Sequence, residues 1–140
     1  MKDLKNRVLV AHLLGAGAVT TTTKSKYVDL ADCNSALFLV NIGAGTFTGG
    51  SVTPKLQESD STTDISFTDV ATDDLIGSFV TVNATTNDDL TEVVGYIGSK
   101  RYVRVVLTAA ATVSVPVSVN AILGDLNVEP GTTVVTGTAS

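Results

Sequence analysis

Several residue types that carry chemistry are rare or missing in this sequence. Its 140 residues include no tryptophan, one histidine and one cysteine, Cys33. A single cysteine excludes an intramolecular disulfide and a zinc site built from several cysteines. Charged residues make up only 16% and hydrophobic residues 44%. The chain is therefore not a disordered polyelectrolyte, and composition alone leaves its function open.

The residues that are abundant predict a single all-β domain. Valine and threonine supply 21 residues each, and both are β-branched, which favours strands over helices. A length of 140 residues suits one domain with a sizeable core. The formal net charge of −5 argues against attraction to nucleic acid or to an anionic membrane.

The N-terminus combines basic residues with a short apolar run. Lys2, Lys5 and Arg7 give residues 1–7 a charge of +2, whereas the rest of the chain carries −7. The run from Val8 to Leu14 is too short to cross a bilayer, and Asp3 and His12 argue against a secretory signal. We predict an arm over residues 1–17 whose basic and apolar side chains dock on a neighbouring acidic surface.

Short strands follow one another from about Ala18 onwards. They predict a two-sheet antiparallel β-sandwich or jelly roll over residues 18–123, followed by an extended tail over 124–140. Alternation is clearest near the end, where five small apolar residues point one way and Pro116 lies on the opposite face at a sheet edge or bulge. The predicted strands are 19–24, 36–42 (covered on both faces), 52–57, 65–70, 75–82, 90–107 (a hairpin) and 113–121.

The hairpin has an unusual second face. Gly98-Ser99 predicts a type II′ turn that pairs Val94 with Val103. One face of the hairpin then supplies core residues. The opposite face still carries Val93, Ile97, Tyr102 and Val106 between Lys100 and Arg104. Such an apolar face predicts contact with another layer, an arm or a partner.

No set of residues predicts catalysis, a cofactor or a metal. His12 and Cys33 lack a neighbouring nucleophile, base or cation, so we expect neither to be reactive. Residues 58–92 hold nine acids and no basic residue, and Glu58, Asp60 and Asp64 could offer oxygens to calcium. Their spacing matches no EF-hand loop, and solvated turns explain them better.

The body has one basic cluster, formed by Lys100, Arg101 and Arg104 around Tyr102. The acidic remainder of the chain argues against nucleic acid as its ligand. Two interpretations remain, which are ion pairing with the acidic loops and contact with a partner. We mark these four residues, together with Lys2, Lys5 and Arg7, as candidate interface residues.

Several stretches resemble small decoration or cement proteins encoded beside the capsid genes of tailed bacteriophages. The most specific is a Tyr-x-Gly turn followed by Lys-Arg-Tyr-x-Arg. The similar stretches together cover about residues 28–107, and they are Val28-Asp29-Leu30, Ser35-Ala36-Leu37-Phe38, Leu56-Gln57-Glu58-Ser59-Asp60, Phe67-Thr68-Asp69-Val70 and Val94-Gly95-Tyr96-Ile97-Gly98-Ser99-Lys100-Arg101-Tyr102-Val103-Arg104.

The resemblance implies a non-enzymatic jelly-roll protein of the virion, bound to the outer capsid surface. Its expected partners are the major capsid protein, whose contacts it would stabilise, and a second copy of itself, as a homodimer rather than a trimer. It implies no cofactor. A carbohydrate-binding module is an alternative, although the chain has only seven aromatic residues. A surface-fibre subunit is a further alternative, which would require a secretion signal.

Overall fold

The computed structural model describes residues 1–129 and 131–140, and it confirms the all-β prediction. Strands take up 58% of the chain and helix 6%, in a curled antiparallel sheet. The strands are β1 (Leu9–Val19), β2 (Thr23–Asp29), β3 (Cys33–Ile42), β4 (Thr46–Ser59), β5 (Thr68–Asp69), β6 (Leu75–Ile76), β7 (Leu90–Tyr96), β8 (Tyr102–Leu126) and β9 (Thr136–Gly137). Three short 3-10 helices lie at Lys5–Arg7, Asp64–Ser66 and Thr72–Asp74. None of the helices in these described ranges is long and apolar enough to cross a membrane.

The long strand β8 organises the sheet. Its first part pairs with β2 and β4, and its later part pairs with β1 and β3. We call β2, β4, β5, β9 and residues 102–114 the β4 half, and β1, β3, β6, β7 and residues 115–126 the β3 half. Ala111 has a φ of 52° where β8 changes direction, opposite a register shift in β4. Gly50 follows this shift. Glycine is needed at this position because any larger residue would collide with the backbone of Thr112.

The predicted alternation in the last strand is confirmed. Its inward-facing residues are all buried, and they are Val113, Val115, Val117, Val119 and Ala121. The predicted edge position of Pro116 is wrong, because β8 lies between β1 and β3. Pro116 is opposite Ala18, next to a register irregularity in β1 between Leu14 and Gly17, so the alternative of an irregular position describes it better.

The predicted arm over residues 1–17 needs correction from Leu9 onwards. Residues 9–19 form β1, which pairs antiparallel with β8 from Leu9 opposite Leu123 to Val19 opposite Val115. Leu9 and Leu13 are buried in the protein's own core. Residues 1–8 precede this strand, and the apolar residues Leu9, Ala11 and Leu13 pack within the chain, whereas Val10 is exposed.

The predicted hairpin over residues 90–107 is wrong. β7 pairs with β3 and β6, placing Val94 opposite Phe38, whereas Val103 on β8 pairs with Val28 and Glu58. Residues 97–101 therefore connect the two halves of the sheet. The residues that the sequence placed on one hairpin face consequently lie in different parts of the molecule.

Other strand boundaries also differ from the predictions. The segment 65–70 begins with a 3-10 helix, so Ile65 is exposed while Phe67 is buried. The segment 75–82 holds only the two residues of β6 and a bridge from Val82 to Val52. The predicted strand 19–24 is divided between β1 and β2. In the predicted tail, β8 continues to Leu126 and β9 pairs with β2.

Candidate interaction surfaces

Two cations of the basic cluster form ion pairs with acids that are distant in the sequence. The Nζ of Lys100 lies 2.6 Å from Oδ2 of Asp60. Arg101 donates two hydrogen bonds to the carboxylate of Asp29, from Nε at 3.0 Å and from Nη2 at 2.8 Å. The predicted pairing with the acidic loops is therefore observed for Lys100, whereas Arg101 pairs with an acid of β2 outside those loops.

Arg104 is buried, so it is not an exposed interface residue. Its side chain is 3% exposed. Nη1 donates to Oδ1 of Asp64 at 2.5 Å, and Nε and Nη2 donate to the amide oxygen of Gln57. The guanidinium carbon lies 4.3 Å from the centre of the Phe67 ring. Lys24 contacts the same Asp64 carboxylate at 2.8 Å, which gives this acid two cationic partners.

Tyr102 is half-buried against its own chain. Its ring meets the Tyr27 ring edge-on at 5.2 Å, and the Arg101 guanidinium lies 5.2 Å from its centre. Val106, on the same strand, is buried. The segment around Asp64 and Phe67 contacts this side of β8. Another part of the same chain therefore covers Tyr102 and Val106, which the sequence placed on the second face of the hairpin.

The acidic residues of this region are engaged by cations and hydroxyl groups. Hydrogen bonds from Arg101 and Lys100 lower the pKa of Asp29 and Asp60, and those from Lys24 and Arg104 lower the pKa of Asp64. Glu58 accepts a 2.6 Å hydrogen bond from the Tyr96 hydroxyl. Within residues 1–129 and 131–140, no three metal-binding side chains gather into a group, and the suggested calcium ligands point to other partners.

The cations at the N-terminus differ from those of the body. Lys2, Lys5 and Arg7 are exposed, and Lys5 and Arg7 belong to a short 3-10 helix. In the described part of the chain, every lysine and arginine of the body except Lys26 forms an ion pair, whereas none of these three does. The positive charge that is free to meet another molecule is therefore concentrated in residues 1–7.

An exposed apolar surface crosses the β3 half of the sheet. In the register, Val10 of β1 lies opposite Ile122 of β8, which is opposite Leu37 of β3. Leu37 faces Gly95 of β7, and Gly95 faces Ile76 of β6. We call this surface the apolar face, and its members are Val10, Leu37, Leu39, Ile76, Val93, Ile97 and Ile122. Val10 is 63% and Val93 is 52% exposed, and Leu37, Leu39 and Ile122 are partly exposed.

Among the described residues, the outward positions of the paired strands beside the apolar face carry no lysine, arginine or carboxylate. They include His12, Ser35, Asn41, Thr91, Gly95, Ser118, Asn120 and Gly124. Two polar pairs join neighbouring strands, with His12 Nδ1 at 3.3 Å from Asn120 Oδ1 and Thr91 Oγ1 donating to Asn41 Oδ1 at 2.6 Å. An antiparallel sheet with water on one side normally has polar residues at its outward positions, whereas here large apolar residues share these positions with uncharged polar ones.

Sequence reasoning found part of this surface. It singled out Val93 and Ile97 as too apolar for water, and both are exposed. It expected the strand 36–42 to be covered on both faces, whereas only the side of Phe38 and Val40 is buried. It assigned Val10 to a docking arm rather than to this sheet, and it missed Ile76 and Ile122, although Ile122 interrupts the polar positions of an otherwise alternating strand.

One buried carboxylate lies apart from the ion pairs. Glu92 points into the core from β7, where its Oε1 accepts a 2.6 Å hydrogen bond from the backbone N–H of Val80. Its Oε2 has no hydrogen-bond partner among the described residues. Burial raises the pKa of Glu92. Burial therefore disfavours the charged form of this group relative to an exposed glutamate.

The lone cysteine and histidine have limited surroundings for chemistry. Burial, together with the charges of Asp32 and Asp29, raises the pKa of the Cys33 thiol. Its Sγ lies 3.6 Å from the carbonyl oxygen of Leu30, at the side of an open groove of about 520 Å³ that Arg101 also lines. A thiol with a raised pKa has little of the nucleophilic thiolate form.

No protein-family model and no curated protein matches this chain.

Proposed function

We propose that the protein is a non-enzymatic structural protein of a virion that binds the outer surface of a tailed-phage capsid and stabilises contacts between major capsid protein subunits. The observation that carries the proposal is the exposed cationic segment of residues 1–7 on an otherwise acidic body. This segment has a charge of +2 against −7 for the remainder. Complementary charge steers association between two proteins, so the segment suits an acidic partner surface.

The state of the other cations supports assigning attachment to this segment. Lys100 and Arg101 are paired with Asp60 and Asp29, and contact with an external acid would compete with these pairs. Lys2, Lys5 and Arg7 have no such partner within the described ranges. The segment leads directly into β1, whose buried Leu9 anchors it to the core. Attachment through residues 1–7 therefore leaves the fold intact.

We further propose that the curled sheet is a jelly-roll sandwich. The inward-facing residues of both halves belong to a single hydrophobic cluster. Val28, Val52 and Val105 come from the β4 half, and Phe38 and Val94 come from the β3 half. Two layers packed around one core are the arrangement that a sandwich requires.

The proposal of a structural role also rests on how the reactive side chains are occupied. The Tyr96 hydroxyl is bonded to Glu58, and burial together with this carboxylate raises the pKa of Tyr96. Asp60 forms an ion pair with Lys100, and Asp64 forms one with Arg104. The Cys33 thiol has a raised pKa. These groups contribute to the stability of the fold, and none is arranged as a nucleophile beside a base.

Co-sedimentation with empty tailed-phage shells tests the proposal. We expect replacement of Lys2, Lys5 and Arg7 by Gln to reduce the bound fraction at least fivefold at low salt, with the circular dichroism spectrum unchanged. Lys26→Gln is the matched control, because Lys26 is also exposed and unpaired but lies on β2. Added salt should weaken binding of the original protein and change the triple variant little.

Two results would overturn the proposal. The first is failure of the original protein to sediment with any shell while it binds a sugar on a glycan array, which would favour a carbohydrate-binding module. The second is equal loss of binding in the triple variant and in Lys26→Gln, which would remove the special role of residues 1–7.

A further inference from the structure

The apolar face is larger than isolated exposed residues on a sheet would explain. Five strands contribute to it, in the order β1, β8, β3, β7 and β6. The four longer strands span about 19 Å at a spacing of about 4.8 Å, and about seven residues of each give a length of about 24 Å, with the two residues of β6 at one side. Two copies would together bury about 1,000 Å² over this surface, which is at the lower limit for a specific interface.

We infer that the apolar face binds a second copy of this chain, face to face. The inference does not rest on capsid binding, because it concerns the free protein. Its first support is shape, since a sheet face built from regular cross-strand rows can pack on an identical face about 10 Å away. Such packing gives a two-fold interface in which both copies use the same residues.

Charge is the second support. The molecule carries −5, so most ways of joining two copies bring acids together. Acidic residues are concentrated in the segment 58–92, and the described outward positions beside the apolar face hold none, while the exposed Asp125 lies at the far end of β8. Two copies that meet through the apolar face therefore bury no carboxylate and no ammonium group, which avoids the cost of desolvating a charge.

The polar residues of this side are compatible with burial. His12 lies within hydrogen-bond distance of Asn120, and Thr91 donates to Asn41 within the same copy. Groups that already have a partner lose less free energy when water is removed. These four side chains therefore keep a hydrogen-bond partner in their own copy when the face is covered.

Sedimentation equilibrium of the full chain over a wide concentration range tests the inference. We expect a monomer–dimer equilibrium whose dimer Kd rises at least tenfold in Val93→Lys, because each interface would then bury two ammonium groups. Ile65→Lys is the matched control. Ile65 is 91% exposed and lies outside the apolar face, so its replacement should leave the Kd unchanged.

A second variant keeps the test decisive if Val93→Lys fails to fold. Val10→Lys alters the opposite edge of the face, on β1, and should weaken the dimer in the same way. A protein that stays monomeric at the highest concentration would overturn the inference. So would a dimer weakened as much by Ile65→Lys as by the two variants of the face. Because no capsid is present in this experiment, its outcome is separate from that of the shell-binding test.

Discussion

The guanidinium of Arg104 is buried beneath the partly exposed carboxylate of Asp64, with 2.5 Å between Nη1 and Oδ1. The same guanidinium donates twice to Gln57 and lies over the Phe67 ring. Arg104 thus holds the segment that follows β4 against the outer side of β8. Arg104 is the last residue of the Lys-Arg-Tyr-x-Arg motif, and this contact gives it a role in stabilising the fold.

Replacing Arg104 by Ala should lower the free energy of unfolding by about 2–3 kcal/mol. The change removes three hydrogen bonds from a charged donor together with a buried aliphatic stem. Urea unfolding followed by circular dichroism measures the effect. Arg7→Ala is the control, and we expect it to stay within about 0.5 kcal/mol because Arg7 is exposed and unpaired. Equal stability of the two variants would contradict the structural role of Arg104.

Glu92 should make the free energy of unfolding depend on pH. The dependence should fall between the ordinary pKa of a glutamate and the raised pKa of Glu92 in the folded protein. Its pKa is raised in the folded protein, so the unfolded chain releases this proton first as pH increases. Stability is therefore lost as pH rises from the ordinary value of 4.5 through the raised pKa, and the loss is complete above it. Glu92→Gln does not ionise and should avoid this loss.

The measurement is urea unfolding of both proteins from pH 4 to pH 8. We expect the stability of Glu92→Gln relative to the original protein to increase with pH. Acids with lowered pKa values, such as Asp29 and Asp69, lose their contribution at lower pH and are present in both proteins, so they cancel. Asp3→Asn provides a control with an exposed acid. A relative stability that stays constant across this range would show that Glu92 is not responsible.

Leu13→Ala tests whether β1 belongs to the core. Leu13 is 1% exposed, and truncating a buried leucine costs about 2–5 kcal/mol. We expect a loss of this size in urea unfolding. Leu4→Ala is the control, because Leu4 is exposed and precedes the strand. A small effect of Leu13→Ala would restore the interpretation of residues 1–17 as a detachable arm.

The sequence predicted strands well where the evidence was local. The alternation from Val113 to Ala121 and the apolar run from Ala36 to Ile42 both correspond to observed strands. β1 was mistaken for an arm because its partner is near the other end of the chain, with Leu9 opposite Leu123. No pattern within residues 8–14 identifies so distant a partner.

The error at Gly98 has a specific physical cause. A type II′ turn requires a positive φ at its first central residue, and Gly98 is not among the glycines with positive φ. Glycine is needed there for a different reason, because a Cβ atom would lie 2.5 Å from the Tyr96 hydroxyl oxygen. That hydroxyl accepts a hydrogen bond from the backbone of Lys100 and fixes the crossing between the halves. Close packing and turn geometry select the same residue, and the sequence does not distinguish them.

The candidate interface residues show the same limit. The sequence identified a basic cluster and acidic loops, and it offered their pairing as one interpretation, but it did not specify that Arg104 meets Asp64 or that Arg101 meets Asp29. It indicated that Val93 and Ile97 lie on a face too apolar to be exposed to water. The complete apolar face depends on which strands are neighbours, and that information comes from the order of the sheet.

The central position of β8 has a consequence for synthesis on the ribosome. β1, β2, β3 and β4 all use this strand as a neighbour, and it lies at residues 102–126. The four earlier strands therefore leave the ribosome before the strand that joins them exists. Chains with such distant pairings fold slowly, and their unpaired strand edges are open to aggregation in the meantime. A chain that stops before β8 could still pair β3 with β7 and β4 with β5, but it would lack the strand that joins β1, β2, β3 and β4.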